Sequence, residues 1–238
     1  MRIDSHVCFY PDHPPEHLLA VLQRNRFDGA ILVVDDPPDS PLPPPIVGWL
    51  LRDPAALDAV IGLPGLLGVC CKLRAGLGTL AQELAARGLP LDVEMEPANF
   101  PLLLELAAGA PELRIVIDHL ARPDFGQSLP EDWLAGMAAA ARSPRIYCKI
   151  SGLLAYAEIP WRSAPIRPFV QQALQLFGPA RSMFGSEWPR RLPDITWKES
   201  LAAFTQSIGA QPQEVREQLL GGTAREFYGI DARPRVLA

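Results

Sequence analysis

Apolar, β-branched runs alternate with leucine-bearing amphipathic segments along the chain. Arg2–Cys8, Gly29–Asp35, Ile46–Leu51, Leu66–Leu73, Leu91–Glu96, Leu113–His119, Arg145–Ser151 and Arg181–Glu187 read as strands. Several, such as GAILVVD at 29–35, are apolar without interruption, the pattern of parallel strands covered on both faces. Pro14 and Pro15 precede Leu18, Leu19 and Leu22 and predict a helix start, since proline fits a first helical turn. Asp53-Pro54 predicts a cap and first turn. Leu77–Arg87 reads as a helix ended by Gly88, and Pro101–Ala108 as a Leu-rich helix. Ser128–Glu131 and Thr196–Glu199 both have the spacing of a capping box, each opening a helix. Further helices are expected over 164–177 and from near Pro212.

Eight strands separated mostly by helices, in 238 residues, predict a (β/α)8 TIM barrel occupying 1–238 as one domain. An open doubly wound sheet is the alternative. Its usual phosphate-binding signatures, G-x-G-x-x-G after the first strand or G-x-x-x-x-G-K, are missing from the sequence. One connection is irregular. Asp36–Pro45 (DPPDSPLPPP) is too short and too proline-rich for a helix. The barrel is therefore expected to lack the helix between strands 2 and 3. The exposed strand face would be covered by the Pro-rich strip, by the C-terminal helices or by the second subunit of a homodimer.

Charge and cysteine usage narrow the setting. The balance of 22 basic and 27 acidic residues gives −5, with no basic stripe, so nucleic acid is not an expected partner. Met1–His6 is polar at once, unlike a signal peptide. No apolar run approaches the ~20 residues that span a bilayer. Cys70 and Cys71 are neighbours, and Cys8 and Cys148 lie in apolar strands, which fits core cysteines in a reducing compartment. The expectation is a cytoplasmic protein with a small-molecule substrate and no membrane partner.

In such barrels the chemistry stands at the C-terminal ends of the strands. Those ends carry Asp4, His6 and Cys8; Lys72; Glu94 and Glu96; His119; Lys149 and Ser151; and Glu187. Strict alternation would put Asp4, His6 and Cys8 on one face, and Glu94 with Glu96. A lone strand-end histidine is more often a hydrogen-bonded core residue. Imidazoles and carboxylates converging from separate strands are what metal or acid–base chemistry needs.

Ile3-Asp4-Ser5-His6-Val7-Cys8 resembles the opening strand of the amidohydrolase superfamily, which ends in His-x-His. Val116–Asp124 (VIDHLARPD), Cys148-Lys149-Ile150-Ser151-Gly152, Phe184–Pro189 (FGSEWP) and Gly221–Gly229 resemble, in order, its lactonase branch. That branch includes 2-pyrone-4,6-dicarboxylate lactonase and sugar lactonases. The resemblance implies a hydrolase that opens a lactone or related cyclic ester of a small organic substrate. It departs from the pattern at Cys8, which replaces the second histidine, and at Glu187, which replaces an aspartate. Cys70 stands at a strand-four arginine position, Glu94 replaces a tyrosine, and Arg122 remains in His-x-x-Arg. On this reading no metal or other cofactor is needed. Glu187 is the general base, and His6 and His119 polarise the carbonyl. Arg122, Lys149, Ser151, Glu94 and Cys8 contact the substrate. Lost cations and an added carboxylate point to a substrate less charged than a dicarboxylate. The alternative cofactor is zinc on His6, Cys8, His119 and Glu187. Alternative functions are an isomerase, decarboxylase or cyclase using Glu187, Glu94 and His119, or a binding protein without activity.

Overall fold

Eight strands pair in chain order, every neighbour parallel: β1 (Ile3–Cys8), β2 (Gly29–Val34), β3 (Ile46–Leu51), β4 (Leu66–Lys72), β5 (Leu91–Glu94), β6 (Ile115–Ile117), β7 (Ile146–Ile150) and β8 (Ser182–Phe184). The computed structural model describes residues 1–8, 15–38, 42–126, 128–157 and 160–230. Just past β8 the sheet closes on itself. The Glu187 amide donates to the His6 carbonyl at 2.8 Å, and the Cys8 amide donates to the Trp188 carbonyl at 2.9 Å. These bonds form a nearly closed barrel and zip its seam at the end where the candidate residues gather.

Around the barrel run α1 (Pro15–Arg24), α2 (Leu57–Val60), α3 (Gly78–Ala86), α4 (Phe100–Gly109), α5 (Glu131–Ala141), α6 (Ser163–Phe177) and α7 (Trp197–Ile208). After them come α8 (Gln213–Glu217), a π-turn over Gln218–Gly222, and α9 (Thr223–Tyr228). Strand periodicity splits the apolar residues into two layers. Ile3, Ile31, Val33, Leu50, Leu67 and Val116 fill the barrel together with Phe227 and Tyr228 of α9. Leu32, Trp49, Val69 and Ile117 pack outward against Leu22, Leu84, Trp133 and Phe204 of the helices. The π-turn before α9 lies against the start of β1: a Cβ at Gly221 would fall 2.4 Å from the Met1 carbonyl. So α9 plugs the end opposite the strand C-termini.

Local signals behave unevenly. At Thr196 the capping box forms, with reciprocal bonds between Thr196 and Glu199. Asp53 Oδ1 likewise accepts the Ala55 amide at 3.0 Å. The box expected at Ser128 does not form. It needs Ser128 as the residue before the helix, but Pro130 takes that place, extended at φ −68° and ψ 140°. Between Val34 and Ile46 the described residues contain no helix, and 39–41 lie outside them. The outer faces of β2 and β3 are nevertheless covered from within the chain. Leu32, Val34, Trp49 and Leu51 are buried in one cluster with Leu57 and Val60, and Leu42 of the Pro-rich strip packs on it. No second subunit is required to bury that face.

Two expectations about strands are corrected. First, β6 and β8 stop short of His119 and Glu187. His119, Leu120, Ala121 and Arg122 have φ between 49° and 59°, and Glu187 has φ 58°, so both segments leave the sheet in left-handed turns. Such runs of non-glycine residues carry strain and concentrate at functional sites. Second, a register shift between Asp4 and Val7 breaks the alternation of β1. The Asp4 side chain thereby turns away from the His6 ring: its carboxylate accepts the Trp197 indole N–H of α7 at 2.7 Å, the Ser186 amide at 2.8 Å and the His6 backbone amide at 3.3 Å.

Candidate active site

The turn after β6 delivers His119 into the barrel mouth, where it meets groups from three other strand ends. Its Nδ1 lies 2.9 Å from Ser151 Oγ, at the end of β7, and that same Oγ accepts the His119 amide at 3.3 Å. With the serine hydroxyl donating to Nδ1, the neutral ring carries its hydrogen on Nε2. Burial holds His119 neutral, well below the usual imidazole range, with His6 adding to the effect. Nε2 lies 3.5 Å from Glu187 Oε1 and has no hydrogen-bond partner among the described residues.

Glu187 is buried beside this donor. Burial raises its carboxyl to about 7, against the pull of Arg190 and Arg122. Oε1 is 2.8 Å from Arg190 Nε, while Oε2 has no hydrogen-bond partner among the described residues. Room for the pair comes from Gly152, at φ 63°. A Cβ there would fall 2.8 Å from Glu187 Oε2 and 2.9 Å from His119 Nδ1. A small cavity borders Glu187, lined by Leu154, Trp188 and Arg190 among others.

Across the mouth Arg122 is bound through Nη2 to Glu94 Oε2, and its guanidinium lies 5.3 Å from the centre of the Tyr156 ring. That ring also stands 6.1 Å from the His119 ring. Glu94 is thus placed at the mouth with Arg122, while Glu96 is exposed and precedes the turn before α4, its amide donating to Asn99 Oδ1 at 3.1 Å. Cys8 is buried at the end of β1, and burial together with Glu187 pushes its thiol up. A reactive thiolate is not favoured at that position.

Below the mouth lies a second polar layer that the strand-end reading did not assemble. Lys149 is fully buried. Its Nζ is bound to Asp92 Oδ2, and lies 3.2 Å from Asp118 Oδ1 and 3.3 Å from His6 Nδ1. Tyr228 of α9 donates to Asp92 at 2.7 Å, and the Cys70 thiol donates to Asp118 at 3.3 Å. Burial opposes charge on Lys149 and on Asp118. Their mutual attraction overrides it, holding the ammonium well up and the Asp118 carboxyl well down. Asp92, which shares the same cation, is raised by burial to about 7. His6 bridges the layers: its Nδ1 faces Lys149 and Asp118, and its ring meets His119 edge-on at 4.8 Å. Lys149 therefore stands in the floor, one layer beneath where a substrate contact was expected. Asp92, Asp118, Tyr228 and Arg190 are additions. The first two carried a signal, since 92 shares strand parity with Glu94 and 118 shares it with Val116.

The profile of the amidohydrolase family matches residues 6–230. The chain belongs to the amidohydrolase family. Over 157 residues it is 32% identical to an L-fucono-1,5-lactonase of Burkholderia ambifaria, a match covering 62% of this chain and 52% of that protein. The chain thus spans about half the length of the curated relatives it matches. Its fold is similar to that of a Burkholderia multivorans amidohydrolase solved with bound zinc, at TM-score 0.84 and 22% identity, covering 96% of this chain and 99% of that one. A Pseudomonas putida structure, of a protein proposed to be a 2-pyrone-4,6-dicarboxylic acid hydrolase, gives TM-score 0.79 at 21% identity, over 97% and 98% of the two chains.

The zinc in that neighbour raises the question of a metal in this amidohydrolase. Among the described residues, the donor atoms that converge within 4.8 Å are those of His6, Cys70, Asp92 and Asp118. That set shares only His6 with the expected His6, Cys8, His119 and Glu187. It is chemically competent for zinc. Lys149 Nζ, however, already contacts three of its four members. With that ammonium in place the residues do not fit a divalent ion.

Proposed function

We infer that this amidohydrolase hydrolyses the lactone of a small hydroxylated acid, without a metal, using Glu187 as general base and His119 as hydrogen-bond donor. One observation carries the reading. A carboxylate oxygen and an imidazole nitrogen, both buried and both lacking a hydrogen-bond partner among the described residues, converge from the turns after β8 and β6. Buried polar groups are normally satisfied, so such a pair points to a ligand that completes it. A carboxyl near 7 suits a base at neutral pH.

In the proposed reaction Glu187 takes a proton from water as the water oxygen bonds to the acyl carbon. The neutral His119 Nε2–H donates to the carbonyl oxygen as it gains charge. The ring C–O bond then breaks, and the leaving alkoxide takes the proton from Glu187. Ser151 fixes the His119 tautomer, and His6 braces its ring from below. Glu94 neutralises Arg122, so the two together offer donors and acceptors to hydroxyls rather than a free cation to a carboxylate. This matches the sugar-acid lactone in the name of the Burkholderia ambifaria relative.

The test is a panel of aldono-1,4- and 1,5-lactones followed by acid release, in ordinary water and in ¹⁸O-labelled water. The expected result is turnover of at least one lactone with one label in the acid product, lost by ~100-fold or more in Glu187→Gln. No lactone turned over by the folded wild-type chain, or full activity in Glu187→Gln, would overturn the reading.

A further inference from the structure

The floor of the barrel holds a donor set for a metal and, in its midst, a side-chain cation. His6, Cys70, Asp92 and Asp118 come from β1, β4, β5 and the turn after β6, far apart in sequence. Four such donors within 4.8 Å, all buried, are a zinc ligand set in kind and number. Two carboxylates deep in a barrel also demand a positive charge nearby. Lys149 supplies it from β7. Its Nζ is bound to Asp92 and lies 3.2 Å from Asp118 and 3.3 Å from His6 Nδ1. The fourth donor, Cys70, turns its thiol proton to Asp118 at 3.3 Å.

We propose that Lys149 is a built-in substitute for a metal ion: its ammonium occupies a latent divalent-cation site formed by His6, Cys70, Asp92 and Asp118, and keeps that site closed to metal. The argument is one of charge and space. An ammonium at these distances and a dication ligated by the same oxygens and nitrogen would repel each other and compete for the same lone pairs. Lys149 meets most of the carboxylate demand without requiring the Cys70 thiol to ionise. It also meets His6 Nδ1 at 3.3 Å, beside Asp118 at 3.6 Å, and so helps to hold the ring that meets His119 edge-on. Lys149 is accordingly a positioning residue. The inference concerns the floor alone and stands apart from the identity of the substrate.

The experiment compares the wild-type chain with Lys149→Ala and Lys149→Met. Each is incubated with zinc or cobalt(II), freed of loose metal by gel filtration, and analysed for bound ions and for the thiolate-to-cobalt absorption band. The wild type is expected to retain well under one ion per chain and to show no band. The variants are expected to retain about one ion per chain, to show the band, and to melt at higher temperature with metal than without. Adding Cys70→Ser should abolish the band. Two results would overturn the proposal: folded Lys149 variants that take up no metal, or wild-type chain that binds an ion with a thiolate band lost in Cys70→Ser. If the Lys149 variants fail to fold even with zinc present, the wild-type arm decides alone, because refusal of metal supports displacement and uptake refutes it. Lactone turnover is scored on the same wild-type samples and bears only on the hydrolytic reading.

Discussion

Glu187→Gln should damage catalysis and stabilise the fold, in a pH-dependent way that can be worked out beforehand. The folded-state value of about 7 lies above the ordinary 4.5 because burial penalises the carboxylate. The native state therefore holds a proton that the unfolded chain has lost throughout that interval. Stability contributed by protonated Glu187 is complete below 4.5 and is lost as pH rises to about 7, with no further change above. The full interval corresponds to ~3 kcal/mol. This is an upper bound, because the amide forgoes the Arg190 contact at 2.8 Å, although Arg190 is partly exposed and recovers water. For a chain of this size each kcal/mol moves the melting temperature by about 2–4 °C. Glu187→Gln should thus melt within a degree or so of wild type at pH 4.5 and several degrees higher at pH 8. Asp92 is also raised to about 7, but it is present in both proteins and cancels in the difference. The assay is paired thermal melts from pH 4.5 to 8.5, with lactone kinetics alongside. In the wild type kcat/KM should fall about tenfold per pH unit below about 7, as the base becomes protonated. A melting difference that stays flat from pH 4.5 to 8, or that favours wild type at pH 8, would refute the claim that burial raises this carboxyl.

Other substitutions probe separate layers. Gly152→Ala strains a residue at φ 63° and drives a methyl to within 2.8 Å of Glu187 Oε2, so kcat should fall at least ~10-fold while circular dichroism stays native. Tyr228→Phe removes the donor 2.7 Å from Asp92 and should cost about 1–2 kcal/mol in urea titrations, without the large loss of turnover expected at Glu187. Thr196→Ala removes the cap of α7 and should cost about 1 kcal/mol with lactone kinetics unchanged.

The barrel was legible because its strands are apolar on both faces. A run such as GAILVVD at 29–35 has few other homes, and eight such runs at regular spacing leave little choice of topology. The candidate residues were legible as strand-end polar groups. Their relation to one another was not, for reasons that differ by residue. His119 and Glu187 extend runs that read as strand, yet both have positive φ. Positive φ in a non-glycine residue leaves no mark on hydrophobic periodicity. Asp4 sits two residues before His6, and simple alternation pairs them; a register shift inside β1 separates them. Tyr228 reaches Asp92 across 136 residues of sequence, a contact created only when α9 plugs the barrel. Ser128 had the right spacing for a cap and lost it to Pro130, whose ring fixes the backbone at the boundary.

Lys149 shows the deeper limit. From sequence, a strand-end lysine beside a serine reads the same whether its ammonium meets a substrate or two carboxylates. What separates the cases is the depth of one side chain and the company it keeps. In the floor every charge has an opposite charge or a donor within 3.3 Å: Lys149 with Asp92 and Asp118, and Asp92 with Tyr228. In the mouth Glu187 Oε1 meets Arg190 at 2.8 Å, but Glu187 Oε2 and His119 Nε2 lack hydrogen-bond partners among the described residues, as do Asp92 Oδ1 and Asp118 Oδ1 in the floor. A barrel interior cannot hold unmet polar capacity without cost; the floor is closed over by Lys149, whereas Glu187, beside the unmet His119 Nε2, borders a cavity, where a ligand would gain by binding. The same lysine that reads as a substrate contact in one dimension thus serves the layer beneath. On the proposed reading, the ligand completes the open valences above it, from a glutamate and a histidine carried on strained turns.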